Sequence, residues 1–253
     1  MSFSPELSLS VRDLAVSFAD KSGRLEVLEN ISFSLAKNEF VCLIGASGSG
    51  KSTLLRTLAG LIPYSHGTVE YPDIHDRQAR TGLIFQKPNL MPWRNLSQNI
   101  ALPLELEGNT QSEIEPKVRE MIALVGLEGF EHAWPHELSG GMAQRAAIAR
   151  SLVQDPDILL LDEPFGSLDE LTRERMSEEL LRIWSEKTKT ILMVTHSISE
   201  AVYLSDRVLV LSRIPSQIVL DLKIDLPRPR DSQMRYSTAF AKAAQELHDH
   251  LRI

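Results

Sequence analysis

A glycine-rich segment at residues 45–53 constrains the fold of this chain more than any other feature. It reads Gly-Ala-Ser-Gly-Ser-Gly-Lys-Ser-Thr and directly follows the apolar run Phe40-Val41-Cys42-Leu43-Ile44. An apolar strand, a glycine-rich turn and then Lys-Ser are typical of a phosphate-binding loop that opens a helix. The glycines let the backbone approach phosphate closely, and its N–H groups face the anion at the positive end of the helix. The sequence therefore predicts a nucleoside triphosphate site on an α/β fold.

The polar residues of this loop have separate chemical roles. The ammonium group of Lys51 places a positive charge on the β- and γ-phosphates, and the hydroxyl group of Ser52 is a ligand for Mg²⁺. A chance glycine–serine turn is the alternative, which the preceding strand and the Lys-Ser pair disfavour. The predicted nucleotide-binding residues of the loop are Gly45, Ala46, Ser47, Gly48, Ser49, Gly50, Lys51, Ser52 and Thr53.

The composition narrows the classes of partner. The chain has 27 Lys and Arg against 34 Asp and Glu, a formal net charge of −7. This charge gives no basic surplus for nucleic acid, and we expect no nucleic acid partner. The apolar runs are far shorter than the roughly 18 residues that a membrane-spanning helix needs. Cys42 is the single cysteine and lies in an apolar strand, so we expect an inert core residue and no internal disulfide.

The rest of the chain alternates predicted strands and helices. Residues 7–11 and 27–35 alternate polar and apolar residues, which predicts two half-buried strands, with a turn at 20–23 between them. Further strands are predicted at 82–85, 158–161 and 190–194, and helices at 51–60, 113–125, 142–152, 170–186 and 237–251. Strand–helix–strand units with a phosphate loop imply a parallel sheet whose ligand lies at the carboxyl ends of the strands.

Two acidic residues end one of these strands. Asp162 and Glu163 directly follow the apolar run at 158–161. At a strand end beside the phosphate loop, Asp162 could hold Mg²⁺ through water, and Glu163 could orient and deprotonate an attacking water molecule. The alternative is a pair of solvated acids at the edge of a sheet, and the pair alone does not decide between the two.

A second anion-binding segment is predicted at residues 138–145, which read Leu-Ser-Gly-Gly-Met-Ala-Gln-Arg. Ser139, Gly140 and Gly141 precede a predicted helix, and the N-terminus of a helix favours an anion. Because the chain has one phosphate loop, a second nucleotide-binding surface suggests that two copies meet around the nucleotide. The alternative is an ordinary serine-capped helix after a glycine turn.

With these motifs in this order, the sequence resembles the ATPase subunits of ATP-binding-cassette (ABC) transporters from about Leu9 to Arg230. The resemblance implies a P-loop NTPase core with a RecA-like parallel sheet, an N-terminal antiparallel β subdomain and a helical insertion that carries the signature motif. We therefore predict an ABC ATPase domain at 7–230, with the helical part at about 88–150, and a helical tail at 231–253. The resemblance also implies that ATP and Mg²⁺ are cofactors.

The resemblance assigns further site residues. It implies that Phe18 stacks on adenine, that Gln86 contacts Mg²⁺ and the attacking water, and that His196 contacts the γ-phosphate. Ser167-Leu168-Asp169 match the D-loop, and the resemblance implies that Asp169 is an ATP-binding residue. The implied catalytic residues are Glu163, His196, Gln86 and Lys51. The implied metal-binding residues are Ser52, Gln86 and Asp162. The residues implied to contact the partner subunit's ATP are Ser139, Gly140, Gly141 and Met142.

Two residues depart from the usual family pattern. Met142 stands where the signature motif commonly has Gln, although Met occurs there in importer members. Asn38 stands where the family commonly has Gly, and we expect the turn to survive because Asn tolerates a positive φ angle.

The resemblance also implies a function. It predicts that the chain is the ATP-hydrolysing motor of an importer. The predicted partners are a second ATPase subunit, transmembrane permease subunits and, indirectly, a solute-binding protein. We expect the second ATPase subunit to be another copy of this chain, and a paralogue is the alternative. Such a subunit lies peripherally on the cytoplasmic face of the inner membrane. The alternatives are an exporter motor and a non-transport ABC ATPase of DNA repair, translation or iron–sulfur cluster assembly, against which the acidic charge and the single cassette argue.

A narrower resemblance is to the importers of nitrate, sulfonates, taurine and bicarbonate. It rests on Leu90-Met91-Pro92-Trp93-Arg94 with Asn99, and on Leu226-Pro227-Arg228-Pro229-Arg230-Asp231. It implies that residues 88–93 receive a short helix of the permease, although these side chains could instead pack within their own loop. His248 and His250 are two apart on a predicted helix and point to different faces, so we expect no metal site there.

Overall fold

The computed structural model describes residues 6–20, 23–72, 74 and 79–251, which form two β-sheets and seven α-helices. The strands are β1 (Leu7–Asp20), β2 (Gly23–Ala36), β3 (Phe40–Gly45), β4 (His66–Glu70), β5 (Thr81–Ile84), β6 (Ile158–Asp162), β7 (Thr190–Val194), β8 (Arg207–Leu211) and β9 (Ile218–Lys223). The helices are α1 (Lys51–Leu58), α2 (Leu96–Leu106), α3 (Gln111–Leu124), α4 (Gly140–Leu152), α5 (Glu170–Lys187), α6 (Ile198–Leu204) and α7 (Thr238–Leu251).

The larger sheet has six strands in the order β5-β6-β7-β3-β8-β9. All neighbours pair in parallel except β8 and β9, which are antiparallel. The register places Gly45 opposite Leu211 and Asp162 opposite Val194. The carboxyl ends of these strands therefore meet along one edge, where the phosphate loop follows β3 and the acidic pair ends β6.

The period-two geometry of the central strand divides its side chains between two cores. Val41 and Leu43 pack on one face with α1 and with the smaller sheet, while Phe40, Cys42 and Ile44 pack on the other face with most of the helices. Strand β3 is buried on both faces, which explains why its sequence is a continuous apolar run rather than an alternating one. The complete burial of Cys42 raises its thiol pKa, as expected for an inert core residue.

The smaller sheet is antiparallel, in the order β2-β1-β4, and covers α1 and one face of the larger sheet. Both long strands contain irregular pairing, and they have residues with positive φ angles at Asp13 and Asn30. The two strands are longer than the sequence patterns at 7–11 and 27–35 predict, because these bulges interrupt the alternation. Of the predicted turn at 20–23, Lys21 and Ser22 lie outside the described residues.

Three helices, α2, α3 and α4, lie between β5 and β6 in the chain and pack against one another. Asn95 begins α2 with a capping box to Gln98, and Ser139 caps α4. The domain limits given above stay a prediction. Within the described part of the chain, no helix is both long enough and apolar enough to cross a membrane.

The α/β fold class is as predicted, and most elements agree within a few residues. The sequence patterns did not predict β4, β8, β9, α2 or α6. Strand β4 has five residues, none of them fully buried, and α6 has seven residues, so neither carries a strong periodic pattern. Asn38 adopts a φ angle of +62°, which confirms that Asn supports the tight turn before β3.

Candidate functional site

The phosphate loop connects β3 to α1 at the carboxyl edge of the larger sheet. Gly48 and Gly50 have φ angles of +78° and +81°, which side chains rarely adopt. A Cβ atom at Gly50 would also lie 2.9 Å from the side chains of Val27 and Leu28. Both glycines are therefore required by backbone geometry. Helix α1 begins at Lys51 without a side-chain cap, which leaves its first N–H groups for another acceptor.

Lys51 is folded into this loop. Its ammonium group donates to the carbonyl oxygens of Gly45 at 3.0 Å and Ala46 at 2.8 Å. Burial lowers the pKa of Lys51, and the charges of Glu163 and Asp162 partly oppose that shift. A polyanion beside this ammonium group would favour its charged form further.

A hydroxyl group and a carboxylate meet beside the loop. The Oγ atom of Ser52 donates to Oδ1 of Asp162 at 2.7 Å, while Arg56 lies 3.7 Å from Oδ2 of the same carboxylate. Asp162 is buried, so its carboxylate is held in place by these partners. A hydroxyl and a carboxylate oxygen on adjacent elements are the donor types that Mg²⁺ accepts when most of its other ligands are waters and phosphate oxygens. The side chains present therefore fit the ion.

Glu163 and His196 form the second polar pair of the site. Nδ1 of His196 lies 3.1 Å from Oε2 of Glu163. Glu163 has a φ angle of +48°, and its N–H donates to the carbonyl oxygen of Val194 at 3.0 Å. The chain therefore leaves β6 in a left-handed turn, which is uncommon for a residue other than glycine and is found mostly where structure around it fixes the conformation.

Gly166 brings a third side chain to this pair. A Cβ atom at this position would lie 2.9 Å from Nε2 of Gln86 and 3.3 Å from Oε2 of Glu163. The absence of a side chain at Gly166 thus lets the amide group of Gln86 and the carboxylate of Glu163 approach the same backbone segment. The sequence analysis missed Gly166, although its place three residues after Glu163 was a usable signal.

A cleft of about 610 Å³ connects these groups to an apolar surface. Its polar end contains the loop residues 47–53, Glu163 and His196. Its other end is lined by Phe18, Leu25, Val27 and Ile214. The exposed aromatic ring of Phe18 can stack on a flat base, and the aliphatic neighbours extend that apolar platform. The cleft thus has the two ends that a nucleotide needs.

The signature segment does not contribute to this cleft. Among the described residues that line it, none belongs to the predicted set Ser139, Gly140, Gly141 and Met142. The side chain of Ser139 accepts a hydrogen bond from the N–H of Met142 at 3.3 Å, and a Cβ atom at Gly140 would lie 3.2 Å from Leu168.

The D-loop residue Asp169 caps α5. Its carboxylate accepts the N–H of Thr172 at 3.0 Å, and hydrogen bonds from Thr172 hold the pKa of Asp169 below its usual range.

The loop after Gln86 is held by two side chains. Asn99 is fully buried; its amide accepts from the N–H of Met91 at 2.7 Å and donates to the carbonyl oxygens of Met91, Arg94 and Asn95. Arg150 of α4 donates to the carbonyl oxygens of residues 88 and 89 at 2.8 and 2.9 Å. These bonds give the loop a fixed shape while Trp93 remains 70% exposed at its tip.

No group of three or more His, Cys, Asp or Glu side chains suited to a metal occurs in the part of the chain that the structure describes, and this includes His248 and His250. Nδ1 of His250 lies 2.9 Å from the carbonyl oxygen of Glu246 within α7, so this side chain interacts with its own helix.

Comparison with known proteins places these features in one family. The family model described as ABC transporter matches residues 28–166. The aliphatic sulfonates import ATP-binding protein SsuB of Bacillus cereus is 43% identical, covering 90% of this chain and 91% of that protein. The taurine import ATP-binding protein TauB of Rhizobium johnstonii is 44% identical, covering 87% and 85%. The nitrate import ATP-binding protein NrtD of Synechocystis is 42% identical, covering 97% and 96%.

A solved structure agrees with the sequence comparisons. A dimeric ABC cassette in a post-hydrolysis state, bound to ADP and Pi, has a TM-score of 0.73 and 29% identity, and the match covers 87% of this chain and all of that one. The phosphate loop, the acidic pair after β6 and the signature segment accordingly occur together in a cassette of known type. The chain belongs to the ABC transporter family, and it is an ATP-binding subunit of the ATPase class.

Proposed function

We propose that this protein is the motor subunit of an importer for a small solute of the sulfonate, taurine or nitrate type. The observation that carries the proposal is the cleft in which a phosphate loop, an acidic strand end and a histidine lie opposite an aromatic platform. The solute class rests on the relatives named as import subunits for sulfonates, taurine and nitrate. The same relatives favour an importer over the exporter and non-transport alternatives.

ATP is bound along the cleft in this proposal. The phosphates lie on the N–H groups of residues 45–53, and Lys51 exchanges its two carbonyl partners for phosphate oxygens. The base stacks on Phe18, with Leu25 and Ile214 beside it. The aliphatic and aromatic lining offers stacking rather than base-specific hydrogen bonds, so we expect little discrimination between purine nucleotides.

The catalytic groups are those at the strand ends. Glu163 accepts a proton from the attacking water, and His196, which already lies 3.1 Å from that carboxylate, contacts the γ-phosphate. The amide group of Gln86, which converges on Gly166 with Glu163, orients the same water. Ser52, Gln86 and Asp162 would hold Mg²⁺, and the ion would supply positive charge that neutralises the phosphate oxygens.

Two cassettes are needed in this proposal because the signature residues lie outside the chain's own cleft. Ser139, Gly140, Gly141 and Met142 at the start of α4 would contact the γ-phosphate held by a second subunit, most simply a second copy, with Asp169 of the D-loop at the same interface. The solved cassette that this chain resembles is a dimer. ATP binding then closes the pair, and hydrolysis reopens it.

The permease contact is assigned to the loop at 88–95. Asn99 and Arg150 fix its backbone, while the indole ring of Trp93 is available to a partner. A rigid loop with an exposed aromatic tip suits a short helix packed into a groove. A cassette bound in this way lies on the cytoplasmic face of the cell membrane, and a solute-binding protein acts through the permease.

Co-purification from native membranes tests this function. A tagged chain, the same chain with Trp93→Ala, and a matched control with the exposed Tyr236→Ala are isolated, and their partners are identified by mass. We expect a permease, with a solute-binding protein, from the wild type and the control, and little permease from Trp93→Ala. Recovery of the wild type only with DNA-repair, translation or cluster-assembly proteins would reject the import function.

A further inference from the structure

A charge pair with a buried carboxylate joins helices α5 and α6. Arg173, in the first turn of α5, donates from Nη2 to the carbonyl oxygen of Leu168 at 3.0 Å, and its Nε lies 3.6 Å from Oε1 of Glu200 on α6. The side chain of Glu200 is 7% exposed and that of Arg173 is 26% exposed. This pair therefore joins the D-loop segment to helix α6.

Glu200 also determines the shape of the turn that carries His196. Its Oε2 accepts the hydroxyl of Thr195 at 2.5 Å, and its own N–H donates to the hydroxyl of Ser197 at 3.2 Å. The N–H of Ser197 in turn donates to Oγ1 of Thr195 at 3.0 Å. Thr195 and Ser197, the two neighbours of His196, are thus joined to each other and to Glu200 by a closed set of three hydrogen bonds.

His196 itself is half exposed, in contrast to the buried Thr195 before it. A side chain on the surface of a cleft is held less by packing than by the backbone that carries it. The 3.1 Å approach of His196 to Glu163 accordingly depends on the backbone position of residues 195–197. A buried carboxylate is costly unless it is paired, and the structure gives Glu200 the hydroxyl of Thr195 and the guanidinium of Arg173 as partners.

We propose that Arg173 and Glu200 are positioning residues, which hold His196 against Glu163 and join that pair to the D-loop segment 167–169. The proposal rests on the catalytic roles proposed above for Glu163 and His196. Neither Arg173 nor Glu200 lines the cleft, so both act through the residues they hold rather than on the nucleotide.

The chain contains a matched control at the opposite edge of the sheet. Glu39 and Arg207 form a pair with side chains 15% and 21% exposed, with Nη1 of Arg207 lying 2.9 Å from Oε1 of Glu39. Glu39, like Glu200, has its pKa raised by burial despite hydrogen-bond and arginine partners. Glu39→Gln and Glu200→Gln are therefore the same chemical change in similar surroundings. They differ in that Glu200 lies beside the turn of His196, whereas Glu39 lies at the opposite edge of the sheet.

The test measures kcat, the KM for ATP and the denaturant midpoint of the full chain. Glu200→Gln keeps the size of the side chain and an acceptor for Thr195 but loses the charge that Arg173 faces. We expect kcat to fall roughly 10- to 100-fold, as small misplacements of catalytic groups do, with little change in KM. Glu39→Gln should leave kcat and KM unchanged. A fall in kcat that is equal in both variants would overturn the proposal.

Three further variants test whether Arg173 and Glu200 act as one unit on the catalytic pair. Arg173→Met should lower kcat in the same way. The double variant Arg173→Met with Glu200→Gln should have a kcat no lower than that of the less active single variant, since the two residues act as a unit. In a Glu163→Gln background, Glu200→Gln should lower the residual turnover no further. Additive losses in either combination contradict the proposal.

The same experiment distinguishes this inference from the proposed catalytic roles. If Glu163→Gln loses turnover while Glu200→Gln and Arg173→Met do not, only the positioning role fails. If Glu163→Gln itself turns over normally, the catalytic assignment fails, and the positioning role fails with it.

Discussion

The two edges of the six-stranded sheet use the same kinds of side chain in different ways. At the amino edge, Glu39 accepts the N–H of Ala36 at 2.8 Å and pairs with Arg207. Asp206 accepts the N–H of Phe40 at 3.0 Å and Nε of Arg228 at 2.8 Å. Glu39 and Asp206 are thus each matched to a backbone donor and an arginine.

At the carboxyl edge, polar groups face a cleft. Among the described residues, the ammonium group of Lys51 donates only to backbone carbonyl oxygens, and Glu163 meets a histidine that is half exposed. The strand of Glu163 ends in a left-handed turn rather than in a relaxed one. The difference teaches that carboxylates at one edge are matched to fixed partners within the fold, while charged groups at the other edge are available to a ligand.

The comparison between the two edges of the sheet is tested most strongly by Glu163→Gln. Positioned proton transfer is worth about 10²–10⁴ in rate, so we expect turnover to fall by that range while ATP binding remains. Because hydrolysis would no longer reopen the closed pair, ATP should stabilise a dimer. Steady-state ATPase assays and size-exclusion chromatography with ATP measure both effects. Turnover close to that of the wild type would remove Glu163 from the mechanism.

The next largest effect is expected from Lys51→Ala. Loss of a hydrogen bond to a charged group costs about 1.5–3 kcal/mol, so ATP affinity should fall roughly 10- to 100-fold. Lys189, which pairs with Asp155 before β7, supplies a control at the other edge. Calorimetric titration of Lys189→Ala should give the affinity of the wild type, and an equal loss in both variants would contradict the assignment.

Asp206→Ala tests the amino edge. The N–H of Phe40, in a fully buried residue, would lose its acceptor, and Arg228 would lose its carboxylate. An unsatisfied buried donor costs about 1–3 kcal/mol, which should appear in the free energy of unfolding but not in kcat or KM. Asp206→Asn keeps an acceptor and should lose less. Urea titration with ATPase assays decides this, and a loss of kcat at unchanged stability would contradict the comparison.

The parts of the fold that sequence predicted are those set by local chemistry. The run at 40–44 is continuous because β3 is buried on both faces, and the glycines after it are required by positive φ angles. The acidic pair was found because a polar residue after a buried strand lies at the edge where ligands bind. Thr195 also directly follows a buried strand, β7, so the same rule predicts that Thr195 lies at the ligand-binding edge.

The parts that sequence missed depend on contacts between distant segments. Glu200 is bonded to Thr195 and faces Arg173 from another helix, and no spacing along the chain predicts that meeting. The identity of Asn99 was noticed, but its four hydrogen bonds to the loop at 91–95 need the folded backbone. Short elements such as β4 have too few residues for a periodic signal.

The smallest expected effect concerns pH, and it shows where the two edges are alike. Burial raises the pKa of both Glu39 and Glu200 above the ordinary value of 4.5, so the folded state binds these protons more tightly than the unfolded state does. The stability that each group contributes is therefore present below pH 4.5 and is lost as pH rises through the folded-state pKa. Replacing either residue by Gln removes that loss.

Relative to the wild type, both Glu39→Gln and Glu200→Gln should accordingly gain stability as pH rises from 4.5 to neutrality. This gain has the direction set by the raised pKa values, and we expect it to be the smallest of the effects predicted here. Urea titrations across this pH range measure it, and a stability difference that is independent of pH would contradict the raised pKa values. If the two variants then match in stability but only Glu200→Gln lowers kcat, the edges differ in catalysis and not in the cost of burying a carboxylate.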